Sequence, residues 1–232
     1  MKESGIWSLE SKSQRQNVLR LLTPDSNKIA AILLAAGRSR RMGAFKPLLP
    51  FGQRSVVEAC IGNLVEGGVK EIVVVIGHRA DEMRGRLAHL PVRFAMNAEA
   101  ESEMSVSIAR GVQQIPAHAE AVFVALVDQP AIPPEVIRLL IAERRRTGAQ
   151  MLQPEHNGRG GHPVLIDLNF REELLNLDRE RGLRALFELH RETTLRLPIA
   201  SPHVVRDMDT WDDYRALYLE VFGTEPPVNS WQ

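Results

Sequence analysis

The sequence predicts a doubly wound α/β fold with a mostly parallel sheet, on two observations. Residues 29–36, 72–76 and 121–127 are apolar throughout, as strands covered on both faces must be, whereas a half-exposed strand would alternate. Helical patterns with readable ends lie between and after these runs, and strand–helix alternation of this kind packs helices on both faces of a sheet.

The elements follow in chain order. Ile29 to Ala36 is the first strand. Ser55 and Glu58 stand three apart, the spacing at which a hydroxyl and a carboxylate satisfy the first free amides of a helix. That helix runs to Gly67-Gly68, where glycine permits a left-handed stop. The runs 72–76 and 121–127 supply two more central strands. Pro134 suits a first helical turn, after which Val136, Ile137, Leu140 and Ile141 recur on one face. Thr210 opens the last helix, with Asp212 and Asp213 as helix-start charges and Tyr214, Leu217, Tyr218 and Val221 as the expected buried stripe. Together these elements give a Rossmann-like three-layer sandwich.

A chain of 232 residues accommodates one large α/β domain or two small ones. The division expected is an extension over 1–27 with no assigned role, a catalytic domain over 28–222 and a tail over 223–232. The extension holds a short amphipathic segment at 15–22 and a break at Thr23-Pro24-Asp25-Ser26-Asn27. Hydrophobic residues make up 44% and charged residues 25%, which supports a real core. Twenty-nine basic side chains balance 29 acidic ones, so no electrostatic footprint for nucleic acid is expected. The single cysteine, Cys60, excludes an internal disulfide and a cysteine-rich zinc site, and it falls among apolar helix positions as a core residue. No apolar run approaches the ~18 residues of a membrane span, and residues 1–27 lack the apolar core of a signal peptide. A cytoplasmic protein without membrane partners is expected.

In a doubly wound sheet, ligands sit outside the carboxyl ends of the strands. Directly after the first strand come Gly37, Ser39, Arg40, Arg41, Gly43 and Lys46. Glycine lets backbone amides approach phosphate oxygens, Arg41 supplies a guanidinium fork, and Lys46 a movable point charge. A Walker loop does not fit, because five residues separate Gly37 from Gly43 and Lys46 lies three further on. A dinucleotide fingerprint does not fit either, because no glycine follows Gly37 by two. A solvated basic turn is the alternative on these residues alone. Asp128 ends the third apolar strand, beside the loop if the strands are neighbours. Magnesium takes one or two carboxylates together with phosphate oxygens, although an aspartate before Pro130 also suits a turn.

Leu34-Ala-Ala-Gly-Arg-Ser-Arg-Arg-Met-Gly-Ala-Phe-Lys46 fills every fixed position of Leu-Ala-Ala-Gly-x-Ser-x-Arg-Met-Gly-x-x-Lys. It resembles the signature loop of the MobA-like NTP transferases, in the branch that includes molybdenum cofactor cytidylyltransferase. The resemblance covers residues 29–221 and implies a nucleotidyltransferase (GT-A-like) variant of the fold. It implies that Leu34, Ala35, Ala36, Gly37, Ser39, Arg41, Met42, Gly43 and Lys46 wrap a nucleoside triphosphate, and that Arg41 and Lys46 counter phosphate charge during transfer. Asp128-Gln-Pro130 is similar to the family segment whose aspartate binds magnesium, making Arg41, Lys46 and Asp128 the catalytic set and Mg2+ the cofactor.

Further segments extend the resemblance. Arg206-Asp-Met-Asp-Thr-Trp-Asp-Asp-Tyr214 is similar to Asp-x-Asp-Thr-Pro-Glu-Asp-Tyr, which implies Asp209 as the second metal ligand with Asp207 as the alternative. Trp211 and Asp212 replace the usual proline and glutamate. Met104-Ser-Val-Ser107 resembles a stretch near base and ribose, giving Ser105 as a nucleotide contact, with Glu103 and Ala100 departing from the family's glycine and aromatic. Gly158-Arg-Gly-Gly-His-Pro163 resembles a segment on the acceptor side, giving Gly161 and His162 as substrate contacts. His162 is not expected to act as a base, because a phosphate oxygen nucleophile needs no deprotonation at neutral pH. Ala36 in Leu-Ala-Ala-Gly implies CTP rather than GTP, with molybdopterin as the phosphorylated acceptor and a molybdoenzyme or its maturation factor as a possible partner. The rivals are a sugar-1-phosphate nucleotidyltransferase, a guanylyltransferase, an NAD-type oxidoreductase and a nucleotide-binding regulatory module.

Overall fold

The computed structural model describes residues 28–39, 41–99 and 103–227. The extension 1–27 with its segment 15–22, Arg40, Ala100 and the last five residues of the tail lie outside the described residues. Strand β1 (Ile29–Leu34) opens the described fold. A small hairpin, β2 (Pro50–Phe51) and β3 (Arg54–Ser55), leads into α1 (Val56–Glu66), followed by β4 (Glu71–Ile76), α2 (Ala80–Leu87) and β5 (Arg93–Met96). Next come α3 (Met104–Gln113), β6 (Ala121–Leu126), α4 (Pro134–Thr147), β7 (Met151–His156), β8 (Arg159–Gly160) and β9 (Val164–Asp167). Two short helices, α5 (Arg171–Leu175) and α6 (Leu183–Leu189), then β10 (Thr194–Pro198) and α7 (Trp211–Phe222), complete it.

The three apolar runs are the three central strands. The sheet order is β10-β7-β9-β6-β1-β4-β5, with β8 attached to β7. β1 pairs in parallel with β4 on one side and β6 on the other. β1 and β6 end slightly earlier than their apolar runs, so that Ala35, Ala36 and Val127 belong to the turns at the sheet's carboxyl edge, whereas β4 ends with its run and starts one residue sooner. β9 runs antiparallel to both β6 and β7, making the sheet mixed beyond β6. β7 and β10 lack a strand pattern in the sequence because polar residues and proline interrupt each of them.

Both faces of β1 are buried, which is why its sequence does not alternate. Ala31, Leu33 and Ala35 join Val57, Ile61 and Leu64 of α1 and Val136, Ile137 and Leu140 of α4 on one face. Ala30, Ile32 and Leu34 join Ile108 and Val112 of α3 and Leu183 and Leu186 of α6 on the other. A third cluster, with Met42, Leu49, Phe51, Tyr214, Leu217 and Tyr218, lies beneath α7.

Helix ends form as their residues dictate. The Ser55 amide donates to the Glu58 carboxylate at 2.7 Å, and Gly68 takes φ +105° past the end of α1. At α7 the Asp213 amide donates to the Thr210 hydroxyl at 3.1 Å, while Asp213 accepts from the Thr210 amide at 2.8 Å. The stripe on α7 is Tyr214, Leu217 and Tyr218; Val221 does not belong to it, being 42% exposed. The last turn of α7 runs beyond the cluster, and it is Phe222 that leans on Phe51 and Tyr218, with ring centroids 4.9 and 4.6 Å away.

α3 lies close enough to β1 that a Cβ on Gly111 would fall 2.6 Å from Ile32 Cγ2, and Ile32 is fully buried. Gly111→Ala is therefore expected to cost about 1–3 kcal/mol through overpacking. Urea unfolding checks this: the midpoint should fall with its slope unchanged.

Candidate active site

The chain lays β4 and β5 to one side of β1 and then crosses to place β6 on the other. That reversal opens a crevice at the carboxyl ends of β1 and β6, where ligands of doubly wound sheets bind. The loop after β1 and Asp128 after β6 face each other across it. The cavity between them has a volume of about 420 Å³ and is lined by Leu34, Ala36, Gly37, Ser39, Arg41, Lys46 and Asp128, among others.

The loop folds back on itself, so its two ends meet. Ser39 adopts φ +49°, its carbonyl accepts from the Met42 amide at 3.1 Å, and its hydroxyl accepts from the Lys46 amide at 3.2 Å. Gly43 supplies φ +65° for the return, a conformation that side chains resist. Gly37 is exposed, and a Cβ there would meet nothing within 4 Å. Its backbone therefore faces open space at the mouth of the pocket. Ala35 and Met42 are buried supports rather than lining residues.

Lys46 is the centre of the charge arrangement. Its side chain is buried, with Nζ 2.9 Å from Asp209 Oδ1 and 3.6 Å from Asp128 Oδ2. The other oxygen of Asp209 accepts from Arg41 Nη1 at 2.9 Å. Asp207 turns aside to accept from Gln129 Nε2 at 2.8 Å. Burial pushes the Asp128 carboxyl above the ordinary range; Lys46 pulls it back, while Asp207 and Asp209 add to the rise. Its Oδ1 is buried with no hydrogen-bond partner. A carboxylate oxygen so placed suits a cation, because anionic neighbours and lost water both disfavour its bare charge.

The start of α7 is fastened to the loop. Trp211 Nε1 donates to the Met42 carbonyl at 2.8 Å, Tyr214 donates its hydroxyl to the Pro50 carbonyl at 2.8 Å, and the Met208 amide donates to the Asp128 carbonyl at 3.0 Å. The tryptophan that departs from the family pattern is thus a tie between the helix and the loop after β1.

On the far side, Asn97, Glu99, Met104 and Ser107 also line the pocket. Asn97 Nδ2 donates to Ser107 Oγ at 2.9 Å. Ser105 is buried, its hydroxyl without a partner, and is not among the lining residues. Met104 and Ser107 are three apart on α3 and share a face, from which Ser105 is rotated by about 100°. Glu103 caps α3 as an exposed residue outside the pocket lining. Asn97 was not singled out from the sequence. It follows a strand edge, but β5 is short and half-exposed, and the apolar-run signal missed it.

Gly161 and His162 are not part of this pocket's lining. His162 Nδ1 lies 3.2 Å from the Val124 carbonyl of β6, and its amide donates to the Val204 carbonyl at 2.8 Å. Burial pushes its imidazole below the usual value. A Cβ on Gly161 would fall 2.0 Å from the Val204 carbonyl oxygen, so the backbone there tolerates only glycine. Cys60 is buried, its thiol directed at the Leu126 and Val127 carbonyls, as expected of a core residue.

A glycine-bearing loop with a buried lysine and paired acids at a switch point suits a phosphate-bearing ligand, and the match to NTP transferases makes the class a nucleotidyltransferase. Residues 31–194 match the MobA-like NTP transferase domain, and the chain belongs to that family. It is 35% identical over 150 residues to nicotine blue oxidoreductase of Paenarthrobacter nicotinovorans, covering 62% of this chain and 72% of that protein. It is 26% identical over 187 residues to molybdenum cofactor cytidylyltransferase of Escherichia coli, covering 80% of this chain and 93% of that one. The fold superposes with a TM-score of 0.72 on a nucleotidyl transferase from Methanothermobacter, at 25% identity and covering 84% of this chain and 99% of that one. Among the described residues, no helix is long and apolar enough to cross a membrane.

A carboxyl whose native value is raised holds its proton more readily folded than unfolded, so stability is lost as pH rises through that window. Asp128→Asn is therefore expected to melt no lower than the parent chain at neutral pH. The gap between the two should close as pH falls through the carboxylate range. Thermal melts across pH check this, and a large drop in melting temperature at neutral pH would show that the Lys46 contact outweighs burial.

Proposed function

We propose that the protein transfers a nucleoside monophosphate, CMP from CTP, to the phosphate of a small acceptor, molybdopterin, with release of pyrophosphate. The observation that carries this reading is the buried Lys46 ammonium set between Asp128 and Asp209 under the loop that follows β1. The similarity to a cytidylyltransferase over 80% of the chain supports the base and the acceptor, as does Ala36 in the loop.

The chemistry asks little of protein acids and bases. An acceptor phosphate oxygen attacks the α-phosphorus, that bond forms as the bond to the departing pyrophosphate breaks, and no proton need move. Catalysis is then positioning and charge stabilisation. The loop amides from Gly37 to Ser39 and the Arg41 guanidinium suit the triphosphate oxygens. Lys46 is placed to meet charge that develops on the leaving group. Asp128 and Asp209 would hold Mg2+, and the partnerless buried Oδ1 of Asp128 fits that role. When bound, the ion would neutralise phosphate charge and polarise the reacting phosphorus. A protein of Mycobacterium tuberculosis solved in complex with manganese shares the fold, with a TM-score of 0.68 at 25% identity over 82% of this chain and 97% of that one, which supports a divalent cation.

A second reading, an oxidoreductase, is favoured by the 35% identity to nicotine blue oxidoreductase. It would show as reduction of a dye by a nicotinamide cofactor without pyrophosphate release. The loop's lack of a dinucleotide fingerprint weighs against it.

Pyrophosphate release with each of four triphosphates, with and without magnesium, tests the proposal on a panel of phosphorylated acceptors. CTP is expected to be preferred, and a clear preference for GTP overturns the base assignment. Lys46→Ala and Asp128→Ala are expected to remain folded and to lose about 10²–10³-fold in turnover. Near-normal turnover in either variant overturns the assigned roles.

A further inference from the structure

A second cavity, of about 560 Å³, opens on the acceptor side of the crevice, and no lining residue is common to it and the first. His162 stands between the two. Its ring holds the Val124 carbonyl on β6, the strand whose end carries Asp128, and its other side lines the second cavity. The walls are of two kinds. Val164, Leu183 and Phe187 make an apolar side, and Arg184, Arg191 and Arg196 make a basic one.

The basic side carries more positive charge than its neighbours neutralise. Glu188 is shared by Arg181 and Arg184, and Arg196 pairs with Glu155 at 3.2 Å. Arg191 has no ion pair or hydrogen bond among the described residues. Four guanidinium groups thus meet two carboxylates, and one of the four has no partner. A guanidinium left over at the rim of a cavity is matched by a carboxylate or phosphate, which can take two parallel hydrogen bonds from it.

Resting on the nucleotidyltransferase reading, we propose that the second cavity binds a second anionic group of the acceptor, held by Arg191 with Arg184 and Arg196. This group differs from the phosphate that reacts. The reacting oxygen must reach the nucleotide's α-phosphorus beside Asp128, in the first cavity, whereas the three arginines line only the second. The acceptor is accordingly negative at two places, and the part of it that enters the second cavity meets Val164, Leu183 and Phe187 beside the arginines. The backbone at 160 and 161 packs too closely for any side chain beyond glycine, which fixes His162 in its place beside the second cavity. A Cβ on Gly160 would meet the Gln153 side chain at 2.6 Å, and one on Gly161 the Val204 backbone.

The test uses the full chain with inorganic phosphate as probe, titrated calorimetrically after the first cavity is saturated with a non-hydrolysable CTP analogue and magnesium. Phosphate is expected to bind saturably beside the nucleotide. Arg191→Gln, which changes an exposed side chain without a partner, should weaken phosphate binding by about 10-fold or more, the worth of one charged hydrogen bond. Glu188→Gln should tighten it by removing the competing carboxylate, and neither change should move the affinity for the analogue. Non-saturable phosphate binding, or wild-type phosphate affinity in Arg191→Gln, overturns the proposal. Failure of the chain to bind the analogue of any of the four triphosphates counts instead against the nucleotidyltransferase reading. The same titration without nucleotide then decides whether the arginine cavity binds anions.

Discussion

Three distant pieces of the chain meet at one ammonium group. Lys46 comes from the loop after β1, Asp128 from the end of β6, and Asp209 from the approach to α7. The buried ammonium is met by Asp209 at 2.9 Å, and its charge offsets part of what burial costs Asp128. The parallel register of β1 on β6 sets the distance between loop and acid, and the third apolar cluster holds α7 against the loop so that Asp209 reaches the same point. The sheet's two other apolar faces supply rigidity, but the placement of charge depends on this three-way junction.

What was legible in the sequence was what repeats a strong local rule. The strands with both faces buried had to be apolar at every position, and they were read within two residues of their ends. The capping pairs Ser55–Glu58 and Thr210–Asp213 marked helix starts because they satisfy amides that nothing else satisfies. The loop from Leu34 to Lys46 was legible because its motif is long. The edge strands β5 and β10 were not, since they are short, partly exposed and rich in polar side chains, and neither was β7, whose run is broken by Gln153 and Pro154. Nor could the sequence show which of Asp207 and Asp209 would meet Lys46, or that Ser107 rather than Ser105 would face the cavity. Both depend on a rotation of about 100° per helical residue or on a single step of backbone, finer than an apolar pattern resolves. Trp211 was visible as a departure from the family pattern, but its bond to the Met42 carbonyl joins residues 169 apart and has no local signature.

The crevice is divided by chemistry as well as by shape. Between the two cavities stand the His162 ring and a pair of glycines. On one side three carboxylates, Glu99, Asp128 and Asp209, meet Arg41 and the buried Lys46; on the other, arginines exceed their partners. A ligand that crosses this divide meets a cation-binding wall first and an anion-binding wall next, so orientation in the cleft is decided by charge before any base or ring is recognised.

The ties between α7 and the loop carry a consequence for biosynthesis. Lys46 and Asp209 lie 163 residues apart, and Tyr214 and Pro50 lie 164 apart. A ribosome delivers the loop early and its acidic counterpart near the end of the domain. Until the last helix emerges and docks, the nascent chain holds a lysine and an arginine without the carboxylate that both grip. Closure of contacts so remote in sequence is slow to nucleate. All ten strands precede α7 in the chain, so the pocket is completed by a segment that arrives only after the whole sheet has been made.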